Sequence, residues 1–110
     1  MFGLFDKKKV ILREERKSGD SRFLGAEIKD NGDLVFEGQD SGTGVEKAYG
    51  CTEYEWYWTV KASDIPKLQK AIGDEGKILT LLQQNFSNEK AAGLYKFMQD
   101  NNVYLNRGVG

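Results

Sequence analysis

The chain has 110 residues, 39% hydrophobic and 30% charged, with 16 basic residues against 17 acidic ones and a net charge of −1. That length suits one domain with one core, and the composition is that of a folded chain rather than a disordered one. Balanced charge excludes a general attraction to nucleic acid or to an anionic membrane, so a charged partner must be met by a local patch.

The start, MFGLFDKKKV, sets five mostly apolar residues before three lysines, the reverse order of a secretory signal. Residues 1–9 are expected to be a mobile N-terminus. VILREERK, residues 10–17, begins β-branched and turns fully charged, which fits an exposed or edge strand. Over residues 22–29, Leu24, Ala26 and Ile28 alternate with Glu27 and Lys29, predicting a second strand. In KDNGDLVFEG, Asn31-Gly32 can both take positive φ, as a two-residue type I′ hairpin turn demands, and Leu34 with Phe36 starts the return strand. Residues 39–50 carry three glycines and no sustained period, so they read as a loop.

Residues 52–61 give the strongest strand. Tyr54, Trp56, Trp58 and Val60 share one face; Glu53, Glu55, Tyr57, Thr59 and Lys61 share the other. The period then changes. Ser63 is placed to cap a helix, Pro66 is tolerated in its first turn, Ile65, Leu68 and Ile72 follow at helical spacing, and Gly73 ends it. A second helix is expected over residues 75–86, with Ile78, Leu81, Leu82 and Phe86 inward. A third follows a cap at Ser87 or Asn88, with Ala91, Leu94, Tyr95 and Met98 as its stripe, widened by Phe97, and Asn101-Asn102 as its end. Val103-Tyr104-Leu105 offers a short last strand, and residues 106–110 should fray. Strands gathered before helices predict one α+β domain over residues 1–110, an antiparallel sheet of about four strands with about three C-terminal helices packed on one face.

The residue types restrict the chemistry. With no histidine, Ser and Cys hydrolase triads and imidazole zinc sites are ruled out, and Cys51, the only cysteine, has no imidazole to activate it. A single cysteine also excludes an intrachain disulfide and suits a reducing cytoplasm, and no run approaches the ~18 apolar residues of a membrane span. Gly44-Val45-Glu46 stands where a P-loop needs Gly-Lys-Ser/Thr, and Ser41 stands where a calcium loop counted from Asp30 needs its glutamate. The expectation is a cytoplasmic protein with no cofactor, no metal and no membrane partner.

Two faces of the aromatic strand remain. On the helix side, Tyr54, Trp56 and Trp58 would form the centre of the core; the sharper alternative, stacking bases or sugars, is disfavoured because glutamates alternate with the rings where a basic groove is required. On the other side Glu53, Glu55 and Tyr57 emerge together, and Glu37, Asp40, Glu46 and Tyr49 can join them. A solvated sheet face is the plain reading of each residue singly. As a group they suit docking, with tyrosines supplying area and acids selecting a basic partner. Glu53 and Glu55 also stand roughly 7 Å apart by strand rise, a separation seen in glycosidase carboxyl pairs, which keeps open a carboxylate-dependent hydrolase. A structural adaptor that self-associates through an edge strand is the third reading.

LVFEGQDSGTGVEKAYGCTEYEW resembles a pattern of small bacterial proteins: hydrophobic-Glu-Gly-Gln-Asp-x-Gly-x-x-Val-Glu, a gap, then Glu-Tyr-Glu-aromatic. The positions that carry it are Glu37, Gly38, Gln39, Asp40, Gly42, Val45, Glu46, Glu53, Tyr54, Glu55 and Trp56, with a departure in the extra glycine of Ser41-Gly42-Thr43-Gly44. The resemblance extends more weakly through Leu105. In size and α+β layout the chain is also similar to immunity proteins of contact-dependent growth inhibition and other polymorphic toxin systems. That resemblance implies a non-catalytic protein, monomeric or weakly dimeric, that binds a cognate toxin domain. The implied partner is basic, often a nuclease, and the protein itself makes no direct contact with nucleic acid.

Overall fold

A computed structural model describes residues 8–17, 19–42, 53–73 and 76–109. Its elements are β1 (Lys9–Lys17), β2 (Asp20–Ile28), β3 (Leu34–Ser41), β4 (Glu53–Val60), a 3-10 turn (Ala62–Asp64), α1 (Ile65–Ile72), α2 (Ile78–Asn85), a second 3-10 segment (Asn88–Gly93), α3 (Leu94–Asp100) and β5 (Asn106–Val109). The strands form one antiparallel sheet in the order β1-β2-β3-β4-β5. The α+β class holds, with five strands rather than about four. The added strand is β5: it lies three residues beyond the expected Val103-Tyr104-Leu105 and includes Gly108, which was expected to fray. The tail has little apolar pattern of its own; pairing with the open edge of β4 satisfies its backbone.

β1 occupies the other edge, as its charged sequence suggests, and already includes Lys9 of the segment expected to be mobile; residues 1–7 lie outside the described residues. A register shift between Ile11 and Arg13 inserts one extra residue in β1. Leu12 is buried at this bulge, and Arg13 and Glu15 come onto the same sheet face as their partners Leu24 and Arg22.

The β2–β3 hairpin differs from the expected two-residue turn. Gly32 N–H donates to the Lys29 carbonyl at 2.8 Å and Lys29 N–H to the Asp33 carbonyl at 2.8 Å, enclosing three residues. Only Gly32 has positive φ, +90°, so Asn31 is not in the conformation a type I′ turn requires. This is a type I turn closed by a left-handed glycine. The Asn31 side chain explains the choice: its Oδ1 accepts from Asp33 N–H at 3.0 Å, an Asx turn that needs no left-handed asparagine.

The helices cover one end of the sheet. Leu24, Ala26, Leu34, Phe36 and Val60 are buried from the sheet side against Leu68, Ile78, Leu79, Leu82, Ala91, Leu94 and Met98. α1 stops at Gly73, whose φ of +86° makes it the left-handed cap, and Pro66 sits in its first turn as expected. Its start is different: Asp64, not Ser63, precedes the helix, and Ser63 lies inside the 3-10 turn. The third helical stretch begins as 3-10 and becomes α-helical only at Leu94; Asn102 rather than Asn101 takes the left-handed conformation after it. Among the described residues no helix is long and apolar enough to cross a membrane.

Candidate functional site

Register and alternation divide the chemistry between two sheet faces. On the uncovered face β3 and β4 pair Glu37 with Tyr57, Gln39 with Glu55 and Ser41 with Glu53. Glu37 and Glu53 are exposed; Glu55 and Tyr57 are half-buried. Glu14 and Glu27 stand on the same face through their pairs with Phe23 and Lys9, so five carboxylates share it with Lys9, Arg16 and Lys29. Glu27 is bridged by Lys29 at 3.3 Å, whereas Glu37 and Glu55 form no ion pair among the described residues. Gly25, opposite Glu37, carries no side chain and has the Phe23 ring against it, and a pit of about 270 Å³ opens there, lined by Glu27, Val35, Glu37 and Tyr57 together with Lys9 and Lys29.

Asp40 does not join this group. The segment read as a loop from Gln39 onward is instead strand as far as Ser41, held between β2 and β4, and alternation turns Asp40 to the helix-side face. There it stands in a row across four strands: Glu15, Arg22, Asp40, Tyr54. Burial pushes the Asp40 carboxyl above its ordinary value, while the charges of Arg22 and Arg13 pull it back. Arg13 is itself held by Glu15 at 2.6 Å. Glu46 and Tyr49, the remaining expected contact residues, lie outside the described residues, as does Cys51.

The aromatic strand is only partly core. Val60 is fully buried, and Trp58 packs against the core and against Tyr95 of α3 at 5.1 Å between centroids. Trp56 and Tyr54 continue along the same face beyond the helices, at steps of 6.3 and 5.9 Å, the latter pair stacked at 29°. The Trp56 indole lies across β3 at Gly38: a Cβ there would stand 2.1 Å from Cε2 and 2.2 Å from Cζ2. Its Nε1 is buried and has no hydrogen-bond acceptor among the described residues.

These rings floor an open cleft of about 930 Å³. Asp40 lines it on the β3 side, and Arg107 of β5, paired with Trp58, lines it on the other. Arg107 is exposed and anchored, donating from Nη1 to Tyr95 Oη at 2.9 Å with its guanidinium 6.0 Å from that ring's centroid. Nothing in the sequence marks Arg107 as a site residue, because only the pairing of β5 brings it beside the tryptophans. Tyr95 was visible only as part of a helical stripe.

No protein-family model, no curated protein and no solved structure matches the chain.

Proposed function

We propose that the chain is a non-catalytic protein-binding domain of the immunity-protein kind, which holds a basic toxin domain, of nuclease type, on its uncovered sheet face. One observation carries the reading: Glu37 and Glu55 flank Tyr57 on a single face beside the Gly25 pit, with Glu53 farther along the same strand. A flat strand surface with a recess beside a rigid aromatic residue suits an inserted side chain, and carboxylates at its edge select a lysine or arginine. A nuclease domain presents such cations where it holds phosphates. Asp40, on the other face, takes no part in this contact. The resemblance to immunity proteins in size and layout supports the same class of partner.

The first test is whether the neighbouring open reading frame encodes a large exported protein with a variable C-terminal domain. That domain is then co-expressed with the chain and the purified pair measured by calorimetry; a neighbour of any other kind counts against the reading. Reversing Glu37 and Glu55 together to lysine should weaken binding by about a hundredfold, as several kcal/mol of like-charge contact implies, and should slow association most at low salt. The melting temperature should hold, since neither side chain is in an ion pair among the described residues. Unchanged affinity would remove this face from the contact. A self-associated protein in sedimentation would favour the adaptor reading.

A further inference from the structure

The helix-side cleft has a different chemistry from the uncovered face and stands independently of the function proposed for that face. Base stacking was disfavoured in the sequence because glutamates alternate with the rings. In the fold those glutamates point away, and the charged residues that line the cleft with the rings are Asp40 and Arg107. Among the described residues the lining itself thus carries one carboxylate and one guanidinium. One charge of each sign suits a ligand with both a donor edge and an anion better than a simple organic cation. The half-buried aromatic floor disfavours an ion alone, because an ion leaves the ring faces without a stacking partner.

The cleft is polar at two ends and aromatic between them. At one end is a half-buried carboxylate, an acceptor of two parallel donors. At the other is a guanidinium held in place by Tyr95, with most of its donors still available. A ligand that matches has a planar ring, a pair of adjacent N–H donors on one edge, and an anion at the opposite end. Guanine offers that donor pair at N1 and N2, and a 5′-phosphate supplies the anion. One guanidinium in the lining suits one phosphate; a groove that tracks a nucleic-acid strand needs a series of them.

We infer that this cleft binds a guanine mononucleotide, its base stacked on Trp56, its N1–H and N2–H on Asp40, and its phosphate on Arg107. No bond is made or broken in this site; it is a binding site only.

Trp56 and Trp58 are the molecule's two tryptophans and both line the cleft, so intrinsic emission excited at its red edge reports on it directly. Titration of the whole chain with GMP should give saturable quenching at millimolar concentrations or below. IMP, which lacks the N2 amine, should bind about tenfold more weakly, as should GMP to Asp40→Asn, the loss expected for one bidentate base contact. Arg107→Gln should weaken GMP but leave guanosine unchanged. Far-UV circular dichroism of these variants at half-buried or exposed positions shows that they remain folded. No quenching by GMP in the folded protein overturns the inference. So does equal response to GMP, IMP and UMP, which would deny Asp40 its role, or saturation by cellobiose or maltotriose with none by GMP, which would make the floor a sugar platform. A short guanine-containing oligonucleotide that binds far more tightly than GMP would also overturn it in favour of a strand-binding groove.

Discussion

Gly38→Ala is the sharpest probe of how the aromatic floor is built. In most strands this change helps, because glycine in a strand interior costs roughly 0.5–1 kcal/mol relative to alanine. Here the new Cβ would lie 2.1, 2.2 and 2.6 Å from Cε2, Cζ2 and Nε1 of Trp56. Carbon atoms pack at about 3.5–4.0 Å, so the ring must retreat by more than 1 Å. A fused bicycle cannot bend, and Tyr54 and Trp58 flank it at 5.9 and 6.3 Å. The indole therefore leaves its seat on β3. An aromatic side chain buries about 150–250 Å², and losing roughly half of that at about 25 cal/mol per Å² costs about 2–3 kcal/mol. Set against the strand gain, the net is about 1.5–2 kcal/mol of destabilisation, or about 6–8 °C in melting temperature for a chain of this size. Calorimetry gives the size, and near-UV circular dichroism reports the ring's departure. In a Trp56→Ala background the sign should reverse, with Gly38→Ala now raising stability by about 0.5 kcal/mol. A melting temperature unchanged by Gly38→Ala alone, or an equal loss in both backgrounds, would refute the packing of Trp56 on Gly38.

Two further outcomes follow from the same row of residues and from the hairpin. Burial raises the folded carboxyl of Asp40 above its unfolded value, so the folded state binds that proton more readily. Its effect on stability is therefore least unfavourable in acid and worsens as pH rises from the ordinary carboxylate value through the folded one. Asp40→Asn should remove that slope and leave the neutral protein at least as stable, by a small margin because the group is partly exposed; urea midpoints across the acid range check it, and a variant weaker at neutral pH would mean that Arg22 and Arg13 outweigh burial. Asp33 Oδ1 accepts from Ala62 N–H at 2.9 Å, tying the β2–β3 turn to the start of the helical half. Asp33→Ala should cost about 1–2 kcal/mol and speed amide exchange at Ala62, with Asp33→Asn recovering much of both; no change at Ala62 would show that the bond does not form in solution.

Much of the fold was legible because period and capping are local properties. Strict alternation over residues 53–60 separates Glu53, Glu55 and Tyr57 from the rings whatever the rest of the chain does. Gly73 and Pro66 mark α1 by backbone constraint alone. The hairpin's place was also readable, but not its form, since competition between a left-handed asparagine and an Asx turn depends on side-chain bonds. Asp40 was misread as a loop residue because its neighbours have weak strand preference. β2 and β4 supply hydrogen bonds on both sides, and that outweighs local propensity.

Which side chains travel together is a local matter, because a period of two in a strand follows from covalent geometry. Which face the helices take, and how far along the strands they reach, is set by long-range packing. That reach depends on where Leu68, Leu82, Leu94 and Met98 find enough apolar surface on the sheet, and they find it at Leu34, Phe36 and Val60. Past that point no helix among the described residues covers the rings of Tyr54 and Trp56, and β5 delivers Arg107 beside them by backbone pairing that no pattern in its own residues announces.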